Sequence, residues 1–456
     1  MRRCSGGHHL TDLQVGLLAA TIVLGVWQGL LVASLVLPVV LLSRQPALMV
    51  GLCLVAATIG WLSGVRAWQH TAPRHPGAYV GWAELVADPA PFGTGLRVTV
   101  EIEGERFDTW FYGGPRRKLQ DHQSGEFVWV DGRRVELADS QRRAIVRHVV
   151  GRLEVNFVGD VVHGSALARA NNRVRSNLRR TAGATMPEVD AALFTGLVIG
   201  DDSRQPEWLV AEFRTSGLSH LTAVSGQNVA FVLAAALPLL RRLRPWWRWA
   251  ASVALIAWFM ALTRFEPSVL RAGAMATMAA TAYVLGRQVR PARVLALSVG
   301  LLVVVDPLLV WSVGFWLSVG ATAGVCVVGP WLLPRLPGPV WVRLPVAVTL
   351  GAQLGVALPS MLVFGRLPVV SLPANLAAVP VAGFVMLYGL PAGLVASLLP
   401  GPLPTAVMAP AAWGTRWVAM VARVAAALEP SPGWSAACWA GAVSSLLVWL
   451  ARASRA

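Results

Sequence analysis

The segment SHLTAVSGQNVAFVLAA, Ser219–Ala235, sets polar side chains at the mouth of an apolar run. His220, Thr222, Ser225, Gly226, Gln227 and Asn228 all stand there. In a bilayer each such group needs a partner or water. The residues admit two readings. In one, Ser225 and Gly226 bend the helix, Gln227 and Asn228 face a wet lumen, and the restarting helix aims free N–H groups at an anion. In the other, the carboxamides bond neighbouring helices. Downstream, PSVLRAGAMATM carries Arg271 among small residues inside an apolar run. A buried arginine needs an anionic partner or water, and the wall of an anion-conducting cavity supplies both. Gln353 and Asn375 are further amides inside apolar runs. Asp306-Pro307 reads as a span terminus, with Asp as the cap. Gly320 and Gly324 form a small-residue step suited to helix packing.

Bond-breaking chemistry has little support. Lys118 is the only lysine, and RRKLQ around it is no phosphate-binding loop. Cys4, Cys53, Cys326 and Cys438 are scattered, and the eight histidines show no HxH or HExxH spacing. No metal, cofactor or enzymatic activity is therefore expected.

These residues must be held by membrane elements. The 456-residue chain is 55% hydrophobic and 14% charged, with long apolar runs from residue 219 onward. This predicts a polytopic α-helical membrane protein. Residues 11–68 read as three short spans, broken near Gly25–Gly29, rather than as a cleaved signal alone. Residues 70–165 read as an inserted small β-domain. RVTVEIEG alternates Val98, Val100 and Ile102 inward, and GRLEVNFVGDVV alternates Leu153, Val155 and Phe157. Asp131-Gly132 in EFVWVDGRRVEL reads as a two-residue hairpin turn. A small β-barrel is expected, with the oligonucleotide-binding (OB) type as one candidate. Phe127 and Trp129 are candidate platforms for nucleic-acid bases, and Phe157 is expected in the core.

Residues 166–216 form a basic linker. Leu167, Val174 and Leu178 share a helix face, and Arg169, Arg173, Arg175, Arg179 and Arg180 supply charge. An interfacial helix on lipid head groups is expected. Residues 217–452 form the bundle, with 369–388 and 390–400 read as separate segments, the second re-entrant. Arginines recur in loops 241–248, 287–293 and 335–343, after every second span. Basic loops prefer the cytoplasm. Counting back puts the β-domain on the extracytoplasmic face of the inner membrane, and Arg66 alone runs against the count.

Several ordered motifs resemble those of the ComEC family. GLVIGDDSRQPEWLVAEFRTSGLSHLTAVSGQNVAF resembles its signature, including a G-D pair at Gly200-Asp201. PSVLRAGAMATM, DPLLVWSVGFWLSVGATAG and AQLGVALPSMLVFGRLPVVSLPANLAAVP follow in family order. Two departures stand out: Gln227-Asn228 replace the family's usual histidine-containing step, and Trp316 replaces a glutamine. The resemblance implies a channel that imports single-stranded DNA in natural transformation. Its motif positions fall here on Asp201, His220, Ser225, Gly226, Arg271, Asp306, Gln353 and Asn375. It also implies an extracytoplasmic DNA receptor, a cytoplasmic ATP-driven motor or helicase, and a nuclease on another polypeptide, because no HxHxDH domain follows in this sequence. The rival readings are a secondary transporter of a smaller anionic solute and a non-conducting scaffold of a membrane assembly.

Overall fold

The computed structural model describes residues 11–29, 46–69, 71–222, 226–365, 368–431, 433–435, 438–439, 441 and 444. In chain order it begins with α1 (Asp12–Gln28) and α2 (Pro46–Gln69). Six strands follow: β1 (Gly77–Leu85), β2 (Ala90–Phe92), β3 (Gly95–Ile102), β4 (Glu105–Phe111), β5 (Phe127–Glu136) and β6 (Val149–Val162), with α3 (Gly113–Leu119) between β4 and β5. Then come α4 (Ala166–Thr185), α5 (Glu188–Ile199), α6 (Glu207–Thr215), α7 (Ser219–Thr222), α8 (Gly226–Leu240), α9 (Pro245–Leu262), α10 (Pro267–Val284) and α11 (Pro291–Val305). The last are α12 (Val313–Ala323), α13 (Gly329–Leu332), α14 (Val340–Phe364), α15 (Ser371–Ala396) and α16 (Leu403–Leu428).

Two compact units result: Met1–Ser165 with Thr277–Phe315, and Ala166–Ala276 with Trp316–Ala456. Among the described residues four helices are long and apolar enough to cross a membrane: Ala47–Gln69, Val313–Arg335, Val340–Phe364 and Ser371–Ala396. The chain is thus mostly helical with a small sheet domain.

In the first unit, Thr11 and Gln14 close a capping box on α1, and Gly29, at φ 81°, ends it. The apolar run therefore breaks where Gly25–Gly29 predicted. The middle amino-terminal span and most of the last span, 435–451, lie outside the described residues. Gly25 abuts the Ala57 backbone, and Gly60 and Gly64 abut Ile22 and Val26. These bare positions let α1 and α2 approach closely.

The strand order is β1-β5-β6-β4-β3-β2, with an additional β1–β3 pairing. The β4–β6 pair is parallel and the others are antiparallel. Val98, Val100 and Ile102 are buried, as the alternation requires. Two expectations fail here. Asp131-Gly132 is not a hairpin turn, because β5 runs straight through it. Opposite it, Gly132 pairs with Val155 and Asp131 with Phe157, so Asn156 is an extra residue in β6. Such a bulge reverses the inward alternation. Leu153 stays buried, Val158 becomes the next buried position, and Phe157 is 60% exposed rather than in the core. Gly132 is needed because a Cβ there would strike the Glu154 carbonyl.

In the second unit, α4 packs one face on the bundle, while Arg169, Arg173 and Arg180 stay exposed on the other. Leu178 and Ala182 belong to the central apolar cluster with Phe194, Phe213, Phe259 and Val385. Arg175 is 2% exposed and turned inward, while Leu167 is 59% exposed. The segments 369–388 and 390–400 are one continuous helix, α15, with Pro380 and Pro391 inside it. Proline removes only its own hydrogen bond and bends the axis, and a packed neighbour can absorb that bend.

Candidate functional site

Three polar clusters in the second unit gather most of the motif residues. The first lies where α8 meets α10. Pro267 opens α10, which suits a first-turn position. Val269, Arg271 and Gly273 are its buried residues. Gly226 gives α8 a bare Cα there: a Cβ would lie 2.8 Å from the Ala272 Cβ and 3.2 Å from the Arg271 Nη2. The guanidinium thus packs over the Gly226 backbone.

Arg271 is 5% exposed. Its Nε donates to the Ser318 Oγ at 3.0 Å, Nη2 donates to the same hydroxyl, and Nη1 donates to the Thr322 Oγ1 at 2.8 Å. Nη1 also reaches the Met275 Sδ at 3.5 Å. Ser318 and Thr322 are four residues apart on α12 and so share a face. Thr322 in turn donates to the Ser318 carbonyl at 2.9 Å, which leaves its lone pairs for the arginine. Among the described residues none of these partners carries a charge. A buried cation on neutral hydroxyls keeps its hydrogen bonds but lacks a counter-charge, which is an expensive arrangement.

The second cluster centres on Ser371, at the start of α15. Gln353 Nε2 donates to its Oγ at 2.8 Å, and Asn375 Nδ2 donates to its carbonyl at 2.7 Å and its Oγ at 3.1 Å. Gly217 follows α6 at φ 75°, where the Leu218 amide turns back to the Phe213 carbonyl at 2.8 Å. Its bare Cα meets Ser371, since a Cβ would lie 2.7 Å from the serine Cβ. The Glu429 carboxylate accepts from the Val369 and Val370 amides at the same end of α15, at 3.2 and 3.1 Å.

The third cluster explains the Gly200-Asp201 pair. Gly200, at φ 66°, stops α5 and turns Asp201 inward. Asp201 is 3% exposed and binds Arg179, Arg175 (3.8 Å) and Ser203 (2.7 Å). Arg175 Nη1 also donates to the carbonyls of Ile199 and Leu262, both at 3.1 Å, which end α5 and α9. Burial alone would push the Asp201 carboxyl up, but the bond and charge from Arg179, then Arg175 and Ser203, outweigh it and hold it below the ordinary carboxylate value.

The remaining candidates scatter. Asn228, 2% exposed, donates to the Leu197 carbonyl at 3.0 Å and so joins α8 to α5. Gln227 and His220 are exposed. Ser225 lies outside the described residues. In the first unit Asp306 caps the turn at Pro307–Trp311 through the Leu308 amide at 3.1 Å and bonds His148 at 3.0 Å. In the sheet domain Phe127 and Trp129 are half-buried. Trp129 packs edge to face on Trp82, with ring centroids 5.3 Å apart, and Trp82 is 42% exposed.

Sequence reading missed Ser318, Thr322, Ser371, Gly217 and Trp82. The first two left a signal, hydroxyls four apart on an otherwise apolar helix. Trp82 left none, because its cross-strand neighbour Trp129 is 47 positions away in the chain.

A family model described as "Competence protein" matches residues 197–454, more than half of the chain. An uncharacterized Escherichia coli protein, YcaI, is 28% identical over 284 residues, covering 58% of this chain and 36% of that protein. ComE operon protein 3 of Bacillus subtilis is 26% identical over 226 residues, covering 49% of this chain and 28% of that protein. The matches thus span about a third of the length of these relatives. No solved structure matches.

Proposed function

The chain belongs to the competence protein family, and from that premise we propose that it is the inner-membrane channel through which single-stranded DNA enters the cell during natural transformation. The observation that carries this reading is Arg271: a buried guanidinium whose described partners are neutral hydroxyls and a thioether suits an anionic ligand. A phosphodiester moving past Gly226 would replace Ser318 and Thr322 as its partner and supply the missing charge. Gln227, exposed beside it, is a second candidate wall residue. Asn228, Gln353 and Asp201 are bonded to neighbouring elements and fix the helices around that path, while Asn375 holds Ser371 within its own helix.

The sheet domain supports the same reading. Its pairings run β1–β5–β6–β4–β3 and back to β1, with the parallel pair at β4–β6 and α3 between β4 and β5. That is the order expected of an OB barrel, a fold used for single strands. Trp82, Trp129 and Phe157 offer rings for base stacking on its outer side. The arginine-rich loops favour an extracytoplasmic location for this domain. Passive electrostatics cannot drive import of a long polymer, so a cytoplasmic ATP-driven motor or helicase pulls the strand. A receptor delivers DNA outside, and a nuclease removes the complementary strand.

Import of labelled DNA into cells carrying or lacking the gene tests this reading. Uptake should vanish on deletion and return with the wild-type gene but not with Arg271→Gln. Uptake that survives deletion, where other uptake genes matter, removes the channel from the mechanism.

A further inference from the structure

Within the second unit, a cavity of about 240 Å³ opens where the last turns of α4 meet the end of α15 and the start of α16. Asn177, Arg180, Thr181 and Thr185 line it from α4, and their spacing puts them on one helix face. Ala396, Ser397 and Pro404 close the other side.

The polar groups left open in this cavity can all donate. Thr181 is 7% exposed, yet its hydroxyl makes no hydrogen bond among the described residues. Asn177 Oδ1 accepts from Arg180 Nη2 at 2.5 Å, which leaves the Asn177 Nδ2 as a second donor. That amide is the only described partner of the Arg180 guanidinium, and no carboxylate lies within ion-pair distance of it among the described residues. The Thr185 and Ser397 hydroxyls are already spent on the Thr181 and Leu394 carbonyls, both at 2.7 Å. The first turn of α16 reaches the cavity at Pro404, and no side chain caps that 26-residue helix. The positive end of its dipole therefore adds to the charge of Arg180.

We infer that this cavity binds one phosphate group, of a phospholipid head group or of free phosphate, on Arg180, Thr181 and Asn177. Three donors and a cation with no acidic neighbour reject a metal ion and suit a tetrahedral oxyanion. The ligand gives the Thr181 hydroxyl the partner that its burial calls for. Leu398 and Leu403, in the turn from α15 to α16, are 82% and 51% exposed, so an apolar rim stands beside the donors for the glyceride end of a lipid. The bound anion ties α4 to that turn. The site shares no residue with the Arg271, Ser371 or Asp201 clusters, and it does not depend on what the bundle conducts.

The full chain in detergent is titrated by calorimetry with inorganic phosphate and with dihexanoyl phosphatidic acid. Dihexanoylglycerol, which lacks the phosphate, is the control. Saturable one-to-one binding is expected of a phosphate-bearing ligand and not of the control. Tighter binding of the lipid identifies a head group as the natural ligand, and equal or tighter binding of the ion identifies free phosphate. Arg180→Gln and Thr181→Val should each weaken binding about tenfold, or roughly 1.4 kcal/mol. Unfolding should stay unchanged, because Arg180 is exposed and the Thr181 hydroxyl bonds nothing. Wild-type affinity in both variants overturns the inference, as does the absence of saturable binding by either phosphate ligand or equal binding of the control. Displacement by a short unphosphorylated oligothymidylate overturns it too. Should one variant fold poorly, the other and the control still decide.

Discussion

Replacing Arg271 by methionine separates an arginine that holds the bundle together from one that awaits an anion. Two hydroxyl acceptors on a charged donor, at about 1.5–3 kcal/mol each, contribute about 3–6 kcal/mol to the folded state. Against this stands the burial of an ion at 5% exposure, which costs several kcal/mol when no counter-charge is present. The two terms nearly cancel. Methionine keeps most of the packing volume and removes the buried charge, while Thr322 keeps its bond to the Ser318 carbonyl. The fold should change by less than about 1 kcal/mol, or gain up to about 4 kcal/mol, as when buried ions are replaced by apolar residues elsewhere. Import should behave oppositely. Losing one desolvated phosphate contact of about 2–3 kcal/mol lowers passage roughly thirty- to a hundred-and-fifty-fold. Transformation frequency, membrane abundance by immunoblot and unfolding in detergent read these quantities side by side. A variant that unfolds early while its surviving fraction imports DNA normally would make Arg271 a structural strut and refute the reasoning.

Asp201→Asn should cost about 3–5 kcal/mol, because it leaves Arg175 and Arg179 facing a neutral amide. The folded-state carboxyl titrates below its ordinary value of 3.8, so on acidification the unfolded chain takes up the proton first. The stabilisation is whole above that value and is lost as pH falls through the lower, folded one. The gap between wild type and variant in acid unfolding should close only there, and a gap that closes near neutrality contradicts the assignment. Gly226→Val should destabilise by about 1–3 kcal/mol, since its Cβ would meet Ala272 at 2.8 Å; unchanged unfolding would mean that α8 and α10 are not in contact. Trp82→Ala with Phe157→Ala should weaken binding of single-stranded DNA to the full chain by about 1–3 kcal/mol per base stacked, and binding should fall as salt rises; affinity indifferent to both substitutions moves the stacking surface elsewhere.

Much of the scaffold was legible because it obeys a period. Val98, Val100 and Ile102 alternate and are buried, and the apolar runs at 345–364 and 405–428 fall within α14 and α16. The errors cluster where one residue changes the count. A single inserted Asn156 turned Phe157 outward, and Asp131-Gly132 sits inside a continuous strand opposite that bulge, which no pattern within either strand announces. Arg175 and Arg179 look like lipid-facing charges until Asp201, more than 20 positions on, claims both. Pro391 reads as a break, yet α15 passes through it because the surrounding helices hold it in line. For the site, sequence identified Arg271 and Gly226 separately. Their juxtaposition, and the hydroxyls that make the arginine neutral-bound, are tertiary facts.

The step at Gly320 and Gly324 has a counterpart at Gly351 and Gly355 on α14, and the two backbones touch: a Cβ on any of the four would strike a carbonyl of the facing helix. A seam with no side chains in it has no slack. Rotamer changes cannot widen it or cushion a shift, so the rod bearing Ser318 and Thr322 and the rod bearing Gln353 travel as one piece. The Ser318 and Thr322 hydroxyls that hold Arg271 and the Gln353 amide that holds Ser371 are thereby fixed to one rigid pair of rods.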